Sequence, residues 1–238
     1  MIKSESNIGF RKELKYLINL YDRTILEHRL QSIVKLDKHA PSGEYKILSM
    51  YFDDYKETCY KQVLDSINER WKWRIRYYNF DSSYICLEKK YKLNGLNKKY
   101  KVKLSKEQVL DIINLRNIKL DKNNNKLLNE FYLNILNNKF RPKVITVYDR
   151  KPFVYNLGDI RITLDYNLAS SNDFNNFFNK NLKLIPMLEP NYAILEVKYD
   201  EFIPDFVRFK LGINNLTRTS YSKYFQCVSI LKELYKYK

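Results

Sequence analysis

The chain has 238 residues, 43 Lys and Arg against 27 Asp and Glu for a formal net charge of +16, and 45% hydrophobic residues, so it has ample material for a core. The charge calls for an anionic partner: nucleic acid, an acidic membrane surface or a phosphate-rich small molecule. Cys59, Cys86 and Cys227 are odd in number and far apart, without C-x-x-C or a paired His, which argues against a disulfide framework or a zinc site and fits a reducing cytoplasm.

The first strand is predicted at about residues 8 to 18. DRTILEHRLQSIVKLD then places Ile25, Leu26, Leu30, Ile33 and Val34 on one helical face, with Asp22 as N-cap. KILSMYFDD reads as a strand, and YKETCYKQVLDSINER as a short helical or irregular connection. Residues 70 to 80 and 83 to 92 form a hairpin around Asn79, Asp81 and Ser82, and Asn94-Gly95 turns the chain into a third antiparallel strand. Ser105 and Gln108 form a capping box that opens a helix through Leu115. KLLNEFYLNILNN is another amphipathic helix, ending before Pro142. Strands follow at about 143 to 149, 151 to 157, 159 to 165 and 192 to 200; the segment SNDFNNFFNKNLKLIPM is ambiguous. A last helix, SYSKYFQCVSILKELYKYK, offers Phe225, Val228, Ile230 and Leu231 for docking. No linker divides the chain, so one domain over 1–238 is expected. The start has no apolar h-region, no apolar run approaches a membrane span, and His28 and His39 are isolated.

Several of these strands carry charge on every second position. WKWRIRYY sets Lys72, Arg74 and Arg76 on one face and Trp73, Ile75 and Tyr77 on the other. The alternation returns in RKELKY (Arg11, Glu13, Lys15), CLEKKY (Glu88, Lys90), VYDR (Tyr148, Arg150), IRITLD (Arg161, Thr163, Asp165) and ILEVKY (Glu196, Lys198). A half-solvated sheet also alternates. The choice of Arg over Thr, Ser or Gln, the carboxylates two residues from a cation, and aromatic opposite faces favour a barrel with a polar bore instead.

Eight motifs occur in order: R-x-E-x-K-Y (Arg11 to Tyr16), Y-F-D (Tyr51 to Asp53), R-W-K-W-R-I-R-Y-Y (Arg70 to Tyr78), L-E-K-K (Leu87 to Lys90), P-K-V with Y-x-R (Pro142 to Arg150), R-I-T-L-D (Arg161 to Asp165), L-E-V-K-Y (Leu195 to Tyr199) and S-K-Y (Ser222 to Tyr224). Together they resemble the VTC domain, the polyphosphate polymerase branch of the triphosphate tunnel metalloenzymes. The resemblance implies an α+β fold: a closed antiparallel eight-stranded β-barrel with flanking and C-terminal helices. It also implies ATP and polyphosphate as ligands, Mn2+ or Mg2+ as cofactor, and transfer of the terminal phosphate of ATP to a growing chain.

Carried over by motif, Lys15, Arg74, Arg76, Lys90, Arg150 and Arg161 match phosphate-contacting positions. Glu196 matches a metal-ligating carboxylate, Lys198, Ser222 and Lys223 match the tunnel end, and Tyr148 is expected to bond a phosphate oxygen. Glu13, Glu88 and Asp165 are read equally as metal ligands or as salt-bridge partners of buried cations. Lys99 and Lys101 share a face, with Lys99 preferred; Arg70 either lines the bore or flanks its strand. The hydrolytic tunnel enzymes open with E-x-E-x-K, and here Arg11 replaces the first Glu, which favours a polymerase over a triphosphatase. The rivals are a tunnel triphosphatase and a polyanion-binding module without turnover. Eukaryotic members carry an appended phosphate-sensing domain or membrane anchor, and no such segment is read here. That leaves a separate membrane protein as one partner option, with no direct membrane insertion and no nucleic acid expected.

Overall fold

The computed structural model describes residues 9–236 except 33, 38, 39, 41 and 156–158, so Ile33 and His39 lie outside the described residues. In chain order the elements are β1 (Lys12–Asn19), α1 (Leu20–Gln31), β2 (Lys35–Leu36), β3 (Tyr45–Asp53), α2 (Thr58–Leu64), β4 (Glu69–Tyr78), β5 (Asp81–Leu93) and β6 (Leu96–Leu104). There follow α3 (Lys106–Asn114), α4 (Lys126–Asn137), β7 (Arg141–Tyr155), β8 (Ile160–Ser171), β9 (Ile185–Pro186), β10 (Tyr192–Tyr199), α5 (Asp205–Leu211) and α6 (Lys223–Lys236). Tight turns join β4 to β5 and β5 to β6: Asn79 and Phe80, then Asn94 and Gly95, all have positive φ, the backbone that two-residue hairpins require.

Eight strands pair antiparallel in the order β1-β10-β8-β7-β3-β4-β5-β6, with β2 and β9 as short additions. The apolar residues of the strands face outward and are covered by helices. Trp73, Ile75 and Leu87 pack with Ile112, Phe131, Ile135 and Val228, and Ile162, Leu164 and Val197 pack with Leu26, Leu30, Val207 and Leu211. Burying one large apolar side chain stabilises by about 1.5–3 kcal/mol, so these two layers fix the wall and leave the charged positions pointing inward.

The expected closed barrel is only partly present. The edge strands β1 and β6 meet at one isolated bridge, Arg11 with Asn97, whose two backbone hydrogen bonds are each 3.0 Å. Farther along, the free edge of β1 instead receives the segment leading into α6: Arg218 bridges Tyr16, and the Thr219 amide donates to the Lys15 carbonyl at 2.9 Å. The wall is therefore a wrapped sheet with a seam and not a continuous ring of ladders.

Other elements differ from expectation for local reasons. Asn19, not Asp22, caps α1; its side chain accepts from the Asp22 amide at 2.8 Å. The capping box of Ser105 and Gln108 forms as expected. Residues 143–149 and 151–157 are not two strands, because β7 runs unbroken through Pro152. β3 stops pairing with β7 at Arg150, so the missing N–H of Pro152 costs no bond on that side. β8 continues past residue 165 to Ser171 across a bulge. The ambiguous segment holds a single 3-10 turn at Phe174–Asn176 and the short β9, with Phe177 fully buried.

Candidate functional site: a cation-lined cavity

The inward faces enclose a cavity of about 720 Å³ lined by sixteen Lys and Arg side chains and two Glu, Glu13 and Glu196. Lys15, Lys90, Lys99, Lys198, Lys223, Arg74, Arg76, Arg150, Arg161, Tyr148 and Ser222 all contribute to that lining. Alternation along each strand explains the convergence of the strand residues among them, since each is one of the positions left after the outward ones are buried; Ser222 and Lys223 lie off the strands, at the start of α6. Of Lys99 and Lys101, Lys99 lines the cavity, and Arg70 lines it too.

The cations are held by carboxylates set into the same wall. Pairing between β1 and β10 puts Lys15 opposite Glu196 and Glu13 opposite Lys198, a checkerboard of opposite charges. Lys15 Nζ lies 2.8 Å from Glu13 Oε1 and 3.7 Å from Glu196 Oε2, Lys90 Nζ reaches Glu13 at 3.0 Å, and Lys198 pairs with Glu196. Glu88 lies behind the lining, 2% exposed, with Arg74 at 2.6 Å and Lys99 at 3.0 Å. Asp165 accepts a two-pronged pair from Arg150 at 2.6 and 2.7 Å and a third bond from Lys223 at 2.6 Å. Arg161 pairs with Asp37 at 2.9 Å and donates to the Tyr45 hydroxyl. Among the described residues Arg76 bonds to neutral partners, Ser49 Oγ at 2.9 Å and the Tyr148 hydroxyl at 3.1 Å.

These contacts set the protonation states. Burial and the neighbouring Glu196 push Glu13 upward, but Lys15, Lys90 and Lys198 outweigh them and hold it well below the usual carboxylate range. Burial likewise works against Glu196, and Lys198, Lys15, Arg150 and Lys223 hold it ionised. Burial opposes the charge of Lys15, yet Glu13 and Glu196 raise it above its ordinary value. Glu88 favours the charged form of Lys99, while burial together with Arg74 and Arg76 brings it down to about 8. Burial raises Tyr148, and Arg76, Arg150 and Lys223 more than reverse this, leaving its phenol below its ordinary value.

Some contributors stand outside the charged alternation. Tyr45 and Tyr51 line the cavity from β3, and Arg218 to Tyr221 line it from the irregular stretch before α6. That stretch brings Ser222 and Lys223 inward: Lys15 Nζ donates to the Tyr221 carbonyl at 2.9 Å and Lys72 Nζ to Ser222 Oγ at 2.9 Å. Behind it, buried Asp53 accepts from the amides of Cys59 and Tyr60 and from the Tyr224 hydroxyl, tying β3 and α2 to the second residue of α6.

The model of the VTC domain matches residues 10–232. The chain belongs to the VTC domain family. No curated protein matches the sequence. Among solved structures, the VTC chain is similar to a candidate adenylate cyclase of Bacillus halodurans, with 12% identity, a TM-score of 0.52, and coverage of 90% of this chain and 95% of that one. At that identity the likeness is one of fold alone. It is also similar to a candidate adenylyl cyclase of Hippeastrum described as having a dominant triphosphatase activity (12% identity, TM-score 0.48, 94% and 95% covered). A third likeness is to the Mimivirus capping enzyme triphosphatase (10% identity, TM-score 0.39, 88% of each chain). Among the described residues of the VTC chain, no helix is long and apolar enough to cross a membrane.

Proposed function

We propose that this protein is a metal-dependent polyphosphate polymerase that moves the terminal phosphate of ATP onto a growing polyphosphate chain inside the cation-lined cavity. The observation that carries this reading is the charge of the lining, sixteen cations against two carboxylates. Phosphoryl transfer asks for positioning and charge neutralisation more than for covalent chemistry by the protein. Arg74, Arg76, Arg150 and Arg161 are assigned to the donor triphosphate, because a guanidinium offers a planar fork that matches phosphate oxygens. Tyr148 and Lys223 sit beside them and supply a hydroxyl and a point charge, with the Lys223 Nζ 4.6 Å from the Tyr148 ring centroid.

The family implies a divalent metal, and the donor chemistry here fits one. Glu13 and Glu196 are both held ionised beside Lys15, and ions of the Mg2+ type take one or two carboxylates and complete their shell with phosphate oxygens and water. No cluster of three or more His, Cys, Asp or Glu suited to a metal occurs among the described residues, so the substrate must furnish the remaining oxygens. Glu196 and Glu13 would hold Mn2+ or Mg2+, which when bound neutralises charge on the phosphate oxygens. Glu88, enclosed by Arg74 and Lys99, acts instead as the counter-ion that fixes both cations.

The test is incubation of pure protein with ATP and Mn2+ or Mg2+, with products resolved by chain length. Chains longer than triphosphate are expected. Release of free phosphate without chains would assign a triphosphatase instead. Glu196→Gln keeps shape and removes the charge a hard cation needs, so turnover is expected to collapse while part of the triphosphate affinity survives on the arginines. Near-normal metal-dependent turnover in that variant would overturn the metal assignment.

A further inference from the structure

Several hydroxyl groups line the cavity, and their partners differ in chemistry. Tyr45, Tyr51 and Tyr148 each accept from a guanidinium, those of Arg161, Arg74 and Arg76, at 3.1, 2.9 and 3.1 Å. Arginine keeps its proton in proteins, so none of these partners can take one from the phenol. Ser222 stands apart. Its Oγ lies 2.9 Å from Lys72 Nζ, and a lysine in a confined site has a neutral form that accepts a proton.

The wall around Lys72 favours that form. No carboxylate pairs with Lys72 among the described residues, Glu13, Glu88 and Glu196 being taken by Lys90, Arg74 and Lys198 among others. The β4–β5 ladder sets Lys72 directly opposite Lys90, and like charges in opposed positions repel. Burial lowers the Lys72 ammonium well below its ordinary value, with Lys90, Lys15 and Arg70 adding to the effect. The serine is held as firmly as its partner. Ser222 immediately precedes α6, its Oγ lies 3.4 Å from the Phe225 amide, and its carbonyl accepts from the Gln226 amide at 3.0 Å. The next two residues are anchored as well, Lys223 on Asp165 at 2.6 Å and Tyr224 on Asp53.

Resting on the function proposed above, which brings ATP into the cavity, we propose that Ser222 and Lys72 form a nucleophile–base pair and that Ser222 is a self-phosphorylation site. Ser222 Oγ attacks the γ-phosphorus of the nucleotide while its proton passes to Lys72 Nζ. The Oγ–P bond forms as the bond from that phosphorus to the β,γ-bridging oxygen breaks, and the nucleoside diphosphate leaves with the electron pair. The product is a phosphoserine with about two negative charges at the N-terminus of α6. It faces the newly charged Lys72 and lies near Lys15, which bonds the neighbouring Tyr221 carbonyl, so the same cations that favoured the neutral amine now stabilise the modified side chain.

The test incubates pure protein with ATP and Mn2+ or Mg2+, quenches samples over time and locates covalent phosphate by peptide mass spectrometry, in wild type, Ser222→Ala and Lys72→Arg. Phosphate on Ser222 is expected in the wild type and none at that peptide in Ser222→Ala. Lys72→Arg keeps a positive charge and a phosphate contact but has no proton-accepting form, so labelling is expected to slow by about a hundredfold or more, the usual contribution of a general base. Binding of a non-hydrolysable ATP analogue reports whether the cavity is intact in that variant. An unmodified Ser222 in the wild type would overturn the proposal whatever the variants do, and labelling of Lys72→Arg within about threefold of wild type would overturn the base role. The polymerase reading fails separately: phosphoserine without chain products would sink it and leave the pair standing, whereas chain products with an unmodified Ser222 would do the reverse.

Discussion

Lys99 is a cavity residue whose charge changes near neutral pH. Its folded value of about 8 lies below that of an unfolded lysine, so between those two points the unfolded chain binds more protons and this group makes the ligand-free fold more stable as pH rises. Anion binding runs the other way, because a phosphate favours the charged ammonium. Triphosphate affinity is therefore expected to fall as pH rises through about 8, with proton uptake on binding near that pH, and Lys99→Arg should flatten the fall. Calorimetry in buffers of different ionisation enthalpy checks both. At this scale the sequence is informative wherever a residue sits in strict alternation: Lys15, Lys72, Arg74, Arg76, Lys90, Arg161 and Lys198 can all be read from period two. It is silent on Asp37, Tyr45 and Tyr221, because their inward placement comes from irregular backbone or from β3, whose residues are buried on both faces and so lack a polar stripe.

Among the elements, α6 owes its placement to one buried carboxylate. Asp53 joins the end of β3, the start of α2 and Tyr224, and the Tyr224 ring lies 5.3 Å from that of Tyr51 in the cavity wall. Tyr224→Phe keeps the ring and removes the hydroxyl bond, which is expected to cost about 2 kcal/mol, as for other hydrogen bonds to a charged group. Urea denaturation measures that loss. Turnover should fall as well, since Ser222 and Lys223 lose their anchor, whereas loss of an exposed hydroxyl such as that of Tyr55 should change neither. Helices with end signals are legible, as the capping box before α3 shows. Two features are not. The unbroken β7 is hidden because Pro152 reads as a breaker unless the length of its neighbour β3 is known. The short α5 has only Val207 and Leu211 to bury, too few positions for a helical period to stand out.

For the molecule as a whole, the net charge of +16 and its concentration in one cavity predict how ligands stabilise it. A ligand that binds only the native state raises stability with the logarithm of its concentration over its dissociation constant. Polyphosphate and ATP analogues are expected to raise the melting temperature, less so as salt is added, because screening weakens long-range attraction of exposed charges more than contacts inside the cavity. Duplex DNA is expected to give little rise, because the cations that line the cavity face inward; a larger rise with DNA than with polyphosphate would point to the outer surface instead. The overall architecture is legible because eight charged motifs in order leave few ways to arrange the strands. Its incomplete closure is not, because it is decided by residues 218 and 219 occupying an edge of β1 that a ring of strands would use.

That seam makes the wall topologically a slot. A ring can admit a polymer only by one of its ends, whereas a slot can also admit it broadside. Opening the seam breaks the two Arg11–Asn97 backbone bonds, the Glu13–Lys90 pair, the Phe10–Tyr91 and Lys98–Phe10 contacts and, farther along, the Lys72–Ser222 bond, while leaving every strand ladder intact. Polyphosphate bearing bulky groups at both termini is therefore expected to associate at a rate close to that of the free chain, which stopped-flow fluorescence can measure. Joining residues 11 and 97, which face each other across the seam, by an engineered disulfide should make association depend on a free terminus, turning lateral capture into threading.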